Sequence, residues 1–544
     1  MLPPYFSNCD IRAFISQIAG LFVQYKWHCM QSHFSIACVV ILLLHTLVPS
    51  CAGVVYRFPV RRFHSQVVMA KDDSNAALKS QLRIVQRDLS SGDLNDMKNN
   101  LNGFSGDGYY IDLNIGTPNQ TMQVLIDTGS ANFAIAASFD PKVRKFFHRE
   151  NSSTYVQIGT EVHVAYTEGQ WTGVLGTDIV SVSSSPNISA RAHIACITQT
   201  KDFFIPEAEW QGILGLGYSQ LSMPDRSILP FWDSVVQERK VLDDIFSMHL
   251  CGSSFSHTDE EALMEGSLIF GGVIESLSRG PILYTPIIKQ WYYEVVLTDI
   301  KVSGKSLKMK CKEFNFDKTI VDSGTTNIRL PTKVFQAVVD AIGQHIETNG
   351  LDNFVGASFY NGIDVLCLQN VADFFSSFPI VSFSLYASEN SSFQLDLSPQ
   401  HYLRPVQTDM ADLMLQSCVK FGFSSSSSGT VLGAVLMEAF YVVFDRNSSR
   451  IGFGQTTCPL PNPKNPVLDI TIHGPFYSNK NFSECAYKKS DSVDRSFLII
   501  SYIMAGLSIV VALPLFILCF LWIRRKVTVQ DEGDTSETQS VLPS

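Results

Sequence analysis

The sequence predicts an all-β protein of two similar lobes, followed by a single C-terminal transmembrane helix. Short strand-like runs recur between clusters of Gly, Pro, Asn and Ser over residues 108–459, a pattern typical of all-β architecture. One local pattern occurs twice in this region, which indicates two lobes that arose by duplication. Residues 497–523 carry no charge and are long enough to cross a bilayer with some tilt.

Composition limits the classes of function. The chain has 544 residues, which suggests several structural units, and its net charge is −10. A nucleic-acid partner is not expected, because the sequence has neither a basic excess nor a basic stripe. The 12 Cys include no C-x-x-C pair, and no H-E-x-x-H occurs, so neither a metal site nor a cofactor is expected. The oligomeric state stays open.

Residues 1–52 are predicted to be an N-terminal extension and a signal peptide. The apolar run at residues 34–48 is followed by Ser50-Cys51-Ala52, a small-x-small cleavage pattern. A start at Met30 instead of Met1 would give a signal of ordinary length, and the choice between them stays open. A signal anchor is the alternative interpretation.

Residues 53–104 are predicted to be a removable pro-segment. The segment begins basic and apolar, has helical candidates at residues 76–89 and ends rich in Asn. No R-x-x-R occurs in it, so a furin-type cut is not supported and the cut site stays open. A retained N-terminal arm is the alternative.

The C-terminal end predicts a membrane anchor. Residues 460–496, whose beginning is rich in Pro, are predicted to be an extended stalk before the transmembrane helix at residues 497–523. The positive-inside rule places the basic residues 524–526 and the whole tail, residues 524–544, in the cytosol. The body would then be lumenal or extracellular, as in a single-pass type I protein of the Golgi, endosomes or plasma membrane.

In an oxidising compartment, cysteines are expected to form disulfides and sequons are expected to carry glycans. Six Cys in the second half of this part suggest three disulfides, which sequence alone could pair in 15 ways. Cys196 is left over, in an apolar run, and is predicted to be a buried free thiol whose state stays open. The predicted glycosylation sites are Asn119, Asn151, Asn187, Asn390, Asn447 and Asn481.

The internal repeat carries the chemistry of the two lobes, predicted at residues 105–285 and 286–459. In each lobe an apolar strand ends in an Asp that begins an Asp-Thr/Ser-Gly turn, at Asp127 and at Asp322. Much later, each lobe has two apolar residues followed by Gly, at residues 213–215 and 431–433.

Each turn has the parts that hold a carboxylate. Gly129 and Gly324 permit a tight turn and a close backbone approach. The hydroxyls of Ser130 and Thr325, three residues after each Asp, can hydrogen-bond the carboxylates. An Asp before Gly is by itself most often an ordinary turn residue, but two copies in the same context make that interpretation much weaker.

Two such turns, braced against each other by Thr128 and Ser323, would place Asp127 and Asp322 in one site. Like charges that close cannot both ionise, so one proton is held between them. One carboxyl then acts as base and the other as acid, and a water between them attacks a peptide carbonyl. This reaction requires neither a metal nor a covalent intermediate.

With these motifs the chain resembles a pepsin-family aspartic protease, and more narrowly the membrane-anchored β-secretase (memapsin) branch. The resemblance implies a bilobal pepsin-like fold with the cleft between the lobes, and protein substrates that are themselves membrane-anchored. Ala131 departs from the Ser common in the family, but activity is expected because Ser130 remains. The resemblance covers about residues 105–525 and rests on residues 127–133, 166–171, 210–217, 291–294, 322–331 and 440–446.

The resemblance also implies roles for single residues. Asp127 and Asp322 match the catalytic pair, Tyr166 matches the tip of the flap that closes over substrate, and Trp171 matches the residue that steadies it. Arg329 matches a cleft residue that would favour polar or acidic substrate side chains; a surface Arg at a helix start is the alternative. The implied substrate-binding set is Tyr166, Trp171, Gly129, Ser130, Gly324, Thr325, Thr326 and Arg329, and the implied disulfides are Cys251–Cys458, Cys311–Cys485 and Cys367–Cys418.

The sequence therefore predicts a membrane-anchored aspartic endopeptidase with an acidic optimum, which sheds type I membrane proteins by activating water. The tail lacks the acidic dileucine of vertebrate members, which leaves endosomal delivery open. One alternative is a catalytically silent binding protein on the same fold. Another is a soluble digestive or lysosomal protease, which the charge-free span and its basic stop oppose.

Overall fold

The structure is a computed structural model, and it confirms the prediction of an all-β fold with few helices and an apolar C-terminal helix. The predicted signal region lies outside the described residues, as does most of the predicted pro-segment. The described stretches are residues 55–64, 82–84, 107–166, 169–204, 210–252, 266–348, 355–368, 375–406, 417–458, 471–487 and 492–533.

Strands dominate both halves of the body. The first half contains β1 (Tyr56–Pro59), β2 (Arg61–His64), β3 (Leu82–Ile84), β4 (Asp107–Ile115), β5 (Gln120–Asp127), β6 (Phe133–Ala136), β7 (Val156–Ala165), β8 (Gln170–Val182), β9 (Ser185–Lys201), β10 (Gly212–Gly215), β11 (Ile245–Leu250) and β12 (Gly266–Phe270). The second half contains β13 (Leu283–Pro286), β14 (Lys289–Gln290), β15 (Tyr293–Glu294), β16 (Leu297–Val302), β17 (Lys305–Ser306), β18 (Thr319–Val321), β19 (Ile328–Pro331), β20 (Leu366–Leu368), β21 (Val381–Ser388), β22 (Ser391–Leu397), β23 (Leu403–Val406), β24 (Ser417–Phe421), β25 (Phe423–Ser426), β26 (Thr430–Leu432), β27 (Phe440–Asp445), β28 (Arg450–Gln455) and β29 (Thr471–Tyr477). The described α-helices are α1 (Phe231–Gln237), α2 (Cys311–Phe314), α3 (Thr332–Thr348), α4 (Ala357–Tyr360), α5 (Pro399–Tyr402), α6 (Ala434–Met437) and α7 (Ser492–Gly533).

Each half has a sheet that ends at one of the two Asp turns. The eight-stranded sheet of the first half has the order β2-β4-β5-β10-β6-β9-β8-β7. The six-stranded sheet of the second half has the order β14-β15-β18-β26-β19-β25. Two smaller sheets, β17-β16-β21-β22-β29 and β23-β24-β20-β3, consist of strands of the second half except for β3, an edge strand from the N-terminal segment.

A further six-stranded sheet joins the two halves, in the order β1-β12-β11-β27-β28-β13. Strands from both sides of the predicted boundary at residues 285 and 286 are neighbours in it, and β13 crosses that boundary. The predicted boundary therefore falls inside a continuous sheet, whose backbone hydrogen bonds run across both lobes.

The predicted stalk begins too early in the chain. Within residues 460–496, Thr471–Tyr477 forms β29 and pairs with β22, which adds an edge strand to a sheet of the body. A short 3₁₀ turn then leads to Cys485, which is buried and disulfide-bonded to Cys311. The compact body extends to Tyr487 because this segment finds both a strand partner and a covalent partner.

The N-terminal segment differs from the expected helical pro-segment. Strand β1 pairs with β12 and β2 pairs with β4, so residues 55–64 belong to two sheets, with Phe58 and Val60 buried in the core. The expected helix at residues 76–89 is wrong at Leu82–Ile84, which form β3, because the edge of β20 supplies backbone partners there. By contrast, the helix expected near residue 331 is found as α3.

Helix α7, a unit by itself, contains the segment suited to a membrane. The span Ile499–Arg525 has the length and composition to cross a bilayer, and it overlaps most of the predicted transmembrane helix. The helix continues to Gly533, into the residues predicted as the tail.

The structure contains the disulfides Cys251–Cys458 and Cys311–Cys485. Cys418 is disulfide-bonded, and Cys367 lies directly opposite it in the β20–β24 pair. Cys196 is a buried free thiol. The six sequon asparagines, Asn119, Asn151, Asn187, Asn390, Asn447 and Asn481, are all exposed.

Candidate active site

The two Asp turns stand at the ends of equivalent strands. Strand β5 ends at Asp127 and pairs in parallel with β10, so that Asp127 lies opposite Gly215. Strand β18 pairs in parallel with β26 and delivers Asp322 beside Leu432, whose carbonyl accepts the Asp322 N–H at 3.1 Å. The repeated apolar-apolar-Gly pattern is therefore the strand that supports each acid.

Within the first turn, the carboxylate of Asp127 is held on both oxygens. Oδ1 accepts from the N–H of Gly129 at 2.7 Å, and Oδ2 accepts from the hydroxyl of Ser130. The second turn repeats this arrangement. Asp322 Oδ1 accepts from the N–H of Gly324 at 2.8 Å, and Oδ2 accepts from the Thr325 hydroxyl at 2.8 Å.

The residues after each Asp tie the turns together. The N–H of Thr128 donates to the Ser323 hydroxyl at 3.1 Å, and the N–H of Ser323 donates to the Thr128 hydroxyl at 3.0 Å. Each hydroxyl also donates onward to a strand carbonyl of the other half, Thr128 to Val321 and Ser323 to Ile126. The side chains of Thr128 and Ser323 are both buried. Breaking any of these four hydrogen bonds would leave a buried polar group without a partner, which would lower the stability of the fold.

The two carboxyl groups lie against the opposite glycines. A Cβ at Gly129 would collide with the Asp322 carboxyl, and a Cβ at Gly324 would collide with the Asp127 carboxyl. Burial first, and the charge of Asp322 second, raise the pKa of Asp127 to about 8. The pair can therefore hold a proton at neutral and acidic pH.

A hairpin of β7 and β8 carries the aromatic residue Tyr166. Tyr166 lies at its tip, and the indole N–H of the buried Trp171 donates to the Tyr166 hydroxyl at 3.2 Å. The Tyr166 ring stacks on Phe203 with centroids 5.8 Å apart. Burial, and then the charge of Asp127, raise the pKa of Tyr166. The hairpin thus places a neutral phenol beside the first acid.

The remaining residues of the predicted set follow the second turn. The carbonyls of Thr325 and Thr326 accept from the N–H groups of Ala434 and Val435 at 2.8 and 3.0 Å, which anchors the turn on α6. Arg329 lies half-buried on β19, opposite Val431. It stands in a strand and not at a surface helix start.

Tyr292 and Tyr293 were missed as site residues in the sequence. Burial, and then the charges of Asp322 and Asp127, raise the pKa of Tyr292, so this side chain lies within electrostatic range of the pair. The Tyr293 hydroxyl donates to the Leu216 carbonyl at 2.5 Å. The only sequence signal was the aromatic run Trp291-Tyr292-Tyr293, which lies within residues 291–294 of the family resemblance.

A cluster of potential metal ligands lies elsewhere within the described residues. His249, Cys251 and Cys458 have ligand atoms close together, but the two sulfur atoms form a disulfide and offer no thiolates. Burial lowers the pKa of His249 to about 4.

The geometry agrees with comparisons to known proteins. Residues 108–456 match the profile of the family described as eukaryotic aspartyl protease. The chain is 39% identical to a β-secretase of Strongylocentrotus purpuratus over 501 residues, which cover 88% of this chain and 89% of that protein. It is 26% identical to cathepsin D of Mus musculus and 28% identical to cathepsin E of Rattus norvegicus, each over 76% of this chain and 97% of the relative.

Proposed function

Because this chain belongs to the eukaryotic aspartyl protease family, we propose that Asp127 and Asp322 are its catalytic pair and that it cuts membrane-anchored proteins. The class of the enzyme, an aspartic endopeptidase, follows from the family. The observation that carries the assignment of residues is the pair of buried carboxyls, each against the glycine of the opposite turn.

The geometry supports general acid–base hydrolysis. With one proton on the pair, the ionised carboxyl removes a proton from a water molecule as that water attacks the peptide carbonyl. The protonated carboxyl gives its proton to the carbonyl oxygen, which completes the tetrahedral intermediate. The carboxyl that took the proton of the water then protonates the amide nitrogen and the C–N bond breaks. One hydroxyl proton of the intermediate returns to the other carboxyl, so the pair again holds one proton. The bonds from Gly129, Ser130, Gly324 and Thr325 orient the carboxyls before substrate arrives.

The hairpin supports closure over the substrate. Tyr166 is held by Trp171 and by Phe203, so its hydroxyl has a defined position beside the pair. We assign it to covering the scissile bond and excluding bulk water, which strengthens electrostatic interactions inside the site. Arg329 is assigned to the recognition of polar or acidic substrate side chains.

Membrane anchoring supports the proposed class of substrate. Helix α7 fits a single-pass anchor, and the relative from Strongylocentrotus purpuratus is named a β-secretase. An anchored protease meets anchored substrates at a raised effective concentration. We therefore propose a type I orientation in the secretory pathway, with the body lumenal or extracellular, the exposed sequons glycosylated and the Cys367–Cys418 disulfide formed.

Maturation belongs to the same proposal. We propose that residues 53–104 act as a pro-segment. In the full-length chain its first part contributes β1 and β2 to the body, so its removal also takes the buried side chains of Phe58 and Val60 out of the core, which would then repack.

The test is cleavage of a peptide library by the purified full-length chain in detergent, from about pH 4 to pH 7. Wild type and Asp127→Asn are compared before and after removal of the pro-segment. Acid-dependent cleavage that Asp127→Asn abolishes is the expected result, and the cut sites give the specificity. Equal cleavage by both chains, or none by either after activation, would overturn the assignment.

A further inference from the structure

We infer that Tyr293 is a positioning residue for the catalytic pair, holding Asp127 in place through the peptide unit of Leu216. The inference rests on the proposed function. Tyr293 is fully buried on β15, and its hydroxyl donates to the Leu216 carbonyl at 2.5 Å. The N–H of Leu216 donates to the carbonyl of Asp127 at 2.7 Å. Two bonds in series thus connect a side chain of the second half to the acid of the first.

A second pair of contacts joins the segment after β10 to the segment that contains Tyr293. The N–H of Tyr218 donates to the carbonyl of Trp291 at 3.2 Å. The rings of Tyr218 and Tyr293 pack with centroids 5.2 Å apart. Residues 216 and 218 therefore both contact residues 291–293, the segment that leads into β15.

The Tyr293 ring stands on the sheet shared by the two halves. Its centroid is 5.9 Å from that of Phe246 on β11 and 4.7 Å from that of Phe444 on β27. A ring packed in this way cannot shift without moving the core around it. The Tyr293 hydroxyl therefore has a fixed position, and its hydrogen bond holds the Leu216 carbonyl in place.

Strand β15 also touches the support of the other acid. Glu294, the next residue, pairs with Ile320 on β18, two residues before Asp322. A strand of two residues thus contacts the backbone beneath both acids, and it helps to set their separation.

The separation governs the chemistry because the interaction of two charges falls with distance and with the entry of water. The groups facing Asp127 are Asp322, the hydroxyls of Ser130 and Tyr166, and, further away, Tyr292. Loosening Leu216 would hydrate Asp127 and weaken its coupling to Asp322. Both changes lower its pKa, so the alkaline limb of the pH–rate profile would move to lower pH.

The experiment compares Tyr293→Phe with Tyr402→Phe in the full-length chain. Tyr402 is a matched control, because it is also fully buried and its hydroxyl donates to the Pro379 carbonyl at 2.5 Å, within the second half. Three quantities are measured: hydrogen exchange at the Leu216 amide, kcat and KM, and the pH–rate profile.

For Tyr293→Phe we expect Leu216 exchange to rise about tenfold. We expect kcat to fall about tenfold with KM nearly unchanged. The alkaline limb should move to lower pH. Tyr402→Phe should leave the Leu216 exchange, the kinetic constants and the pH–rate profile as in wild type. Its melting temperature should be lower, because it also loses a buried hydrogen bond.

Unchanged Leu216 exchange in Tyr293→Phe would overturn the inference, as would equal changes in the two variants. Faster exchange with an unmoved pH profile would also overturn it, since the contact would then be purely structural. An inactive wild-type chain refutes the proposed function instead. The exchange comparison needs no catalysis and still decides whether Tyr293 holds Leu216.

Discussion

The two acidic turns have the same local structure but different surroundings. In both, a Gly N–H and a hydroxyl three residues after the Asp hold the carboxylate. Asp127 faces Tyr166 on the hairpin and is held from behind by Leu216, whereas Asp322 is followed by a segment anchored on α6. The backbone and its nearest hydrogen bonds are thus the same in both turns. The residues beyond these hydrogen bonds differ between the two turns, and they give the two acids different surroundings.

The largest expected effect tests whether the two turns act as one unit. Asp127→Asn and Asp322→Asn should each lower kcat by about 1,000-fold or more, because each removes one partner of a proton-sharing pair. The double variant should lose little more than either single one, since residues that act together are not additive. Cleavage of an optimal peptide gives the numbers, and an Asp322→Asn chain with a tenth of wild-type activity would contradict a shared role.

The second prediction tests the close approach of the turns. Gly129→Ala and Gly324→Ala should each destabilise the chain by about 1–3 kcal/mol and remove activity, because the added Cβ meets the opposite Asp carboxyl. Denaturant unfolding and peptide cleavage are the measurements.

Gly343→Ala, on α3, is the control for both glycine variants. Nothing lies within 4 Å of its added Cβ, so this change should stabilise the chain by about 0.5–1 kcal/mol. Equal, small effects at all three glycines would show that the turns are not in contact.

The third prediction concerns stability and pH. Burial and Asp322 raise the folded-state pKa of Asp127 to about 8, above its ordinary value. Stability that is present at acidic pH is therefore lost as pH rises towards that pKa. Asp127→Asn, which cannot ionise, should melt about 2–4 °C above wild type at neutral pH. Near pH 4 the difference should shrink. A difference that is constant with pH would contradict the raised pKa.

The smallest expected effect distinguishes the role of the Ser130 hydroxyl in the first turn from that of the Thr325 hydroxyl in the second. The Ser130 hydrogen bond lowers the pKa of Asp127, so Ser130→Ala should raise that pKa further. The alkaline limb of the pH–rate profile should then move up by less than about one pH unit. Thr325→Val removes the corresponding bond at Asp322 and leaves the first turn intact. A limb that moves down in Ser130→Ala would reverse the assigned role of this hydroxyl.

The sequence predicted the acidic turns because their evidence is local and occurs twice. Asp127 and Asp322 each follow an apolar strand, and residues 213–215 and 431–433 mark the strands that support them. Neither copy alone would have been specific. The all-β fold was predictable for the same reason, since strand and turn signals repeat along the body.

What the sequence did not predict depends on partners far along the chain. The hydroxyl of Tyr293 acts on Leu216, and no spacing rule connects two such positions. Strand β29 was missed because Gly474 and Pro475 interrupt it, and it becomes a strand only beside β22. The shared sheet was missed because β11 and β27 pair across nearly 200 residues of sequence.

The disulfide between Cys311 and Cys485 has a consequence for the turnover of the protein at the membrane. It closes a covalent loop, so a single proteolytic nick anywhere between these two cysteines leaves the body joined to the chain that leads into α7. If α7 anchors the chain, release of an intact body would require a cut between Cys485 and the span that begins at Ile499, or reduction of the bond together with a nick. Shedding of the body by a single cut would thus be confined to one short stretch of the chain.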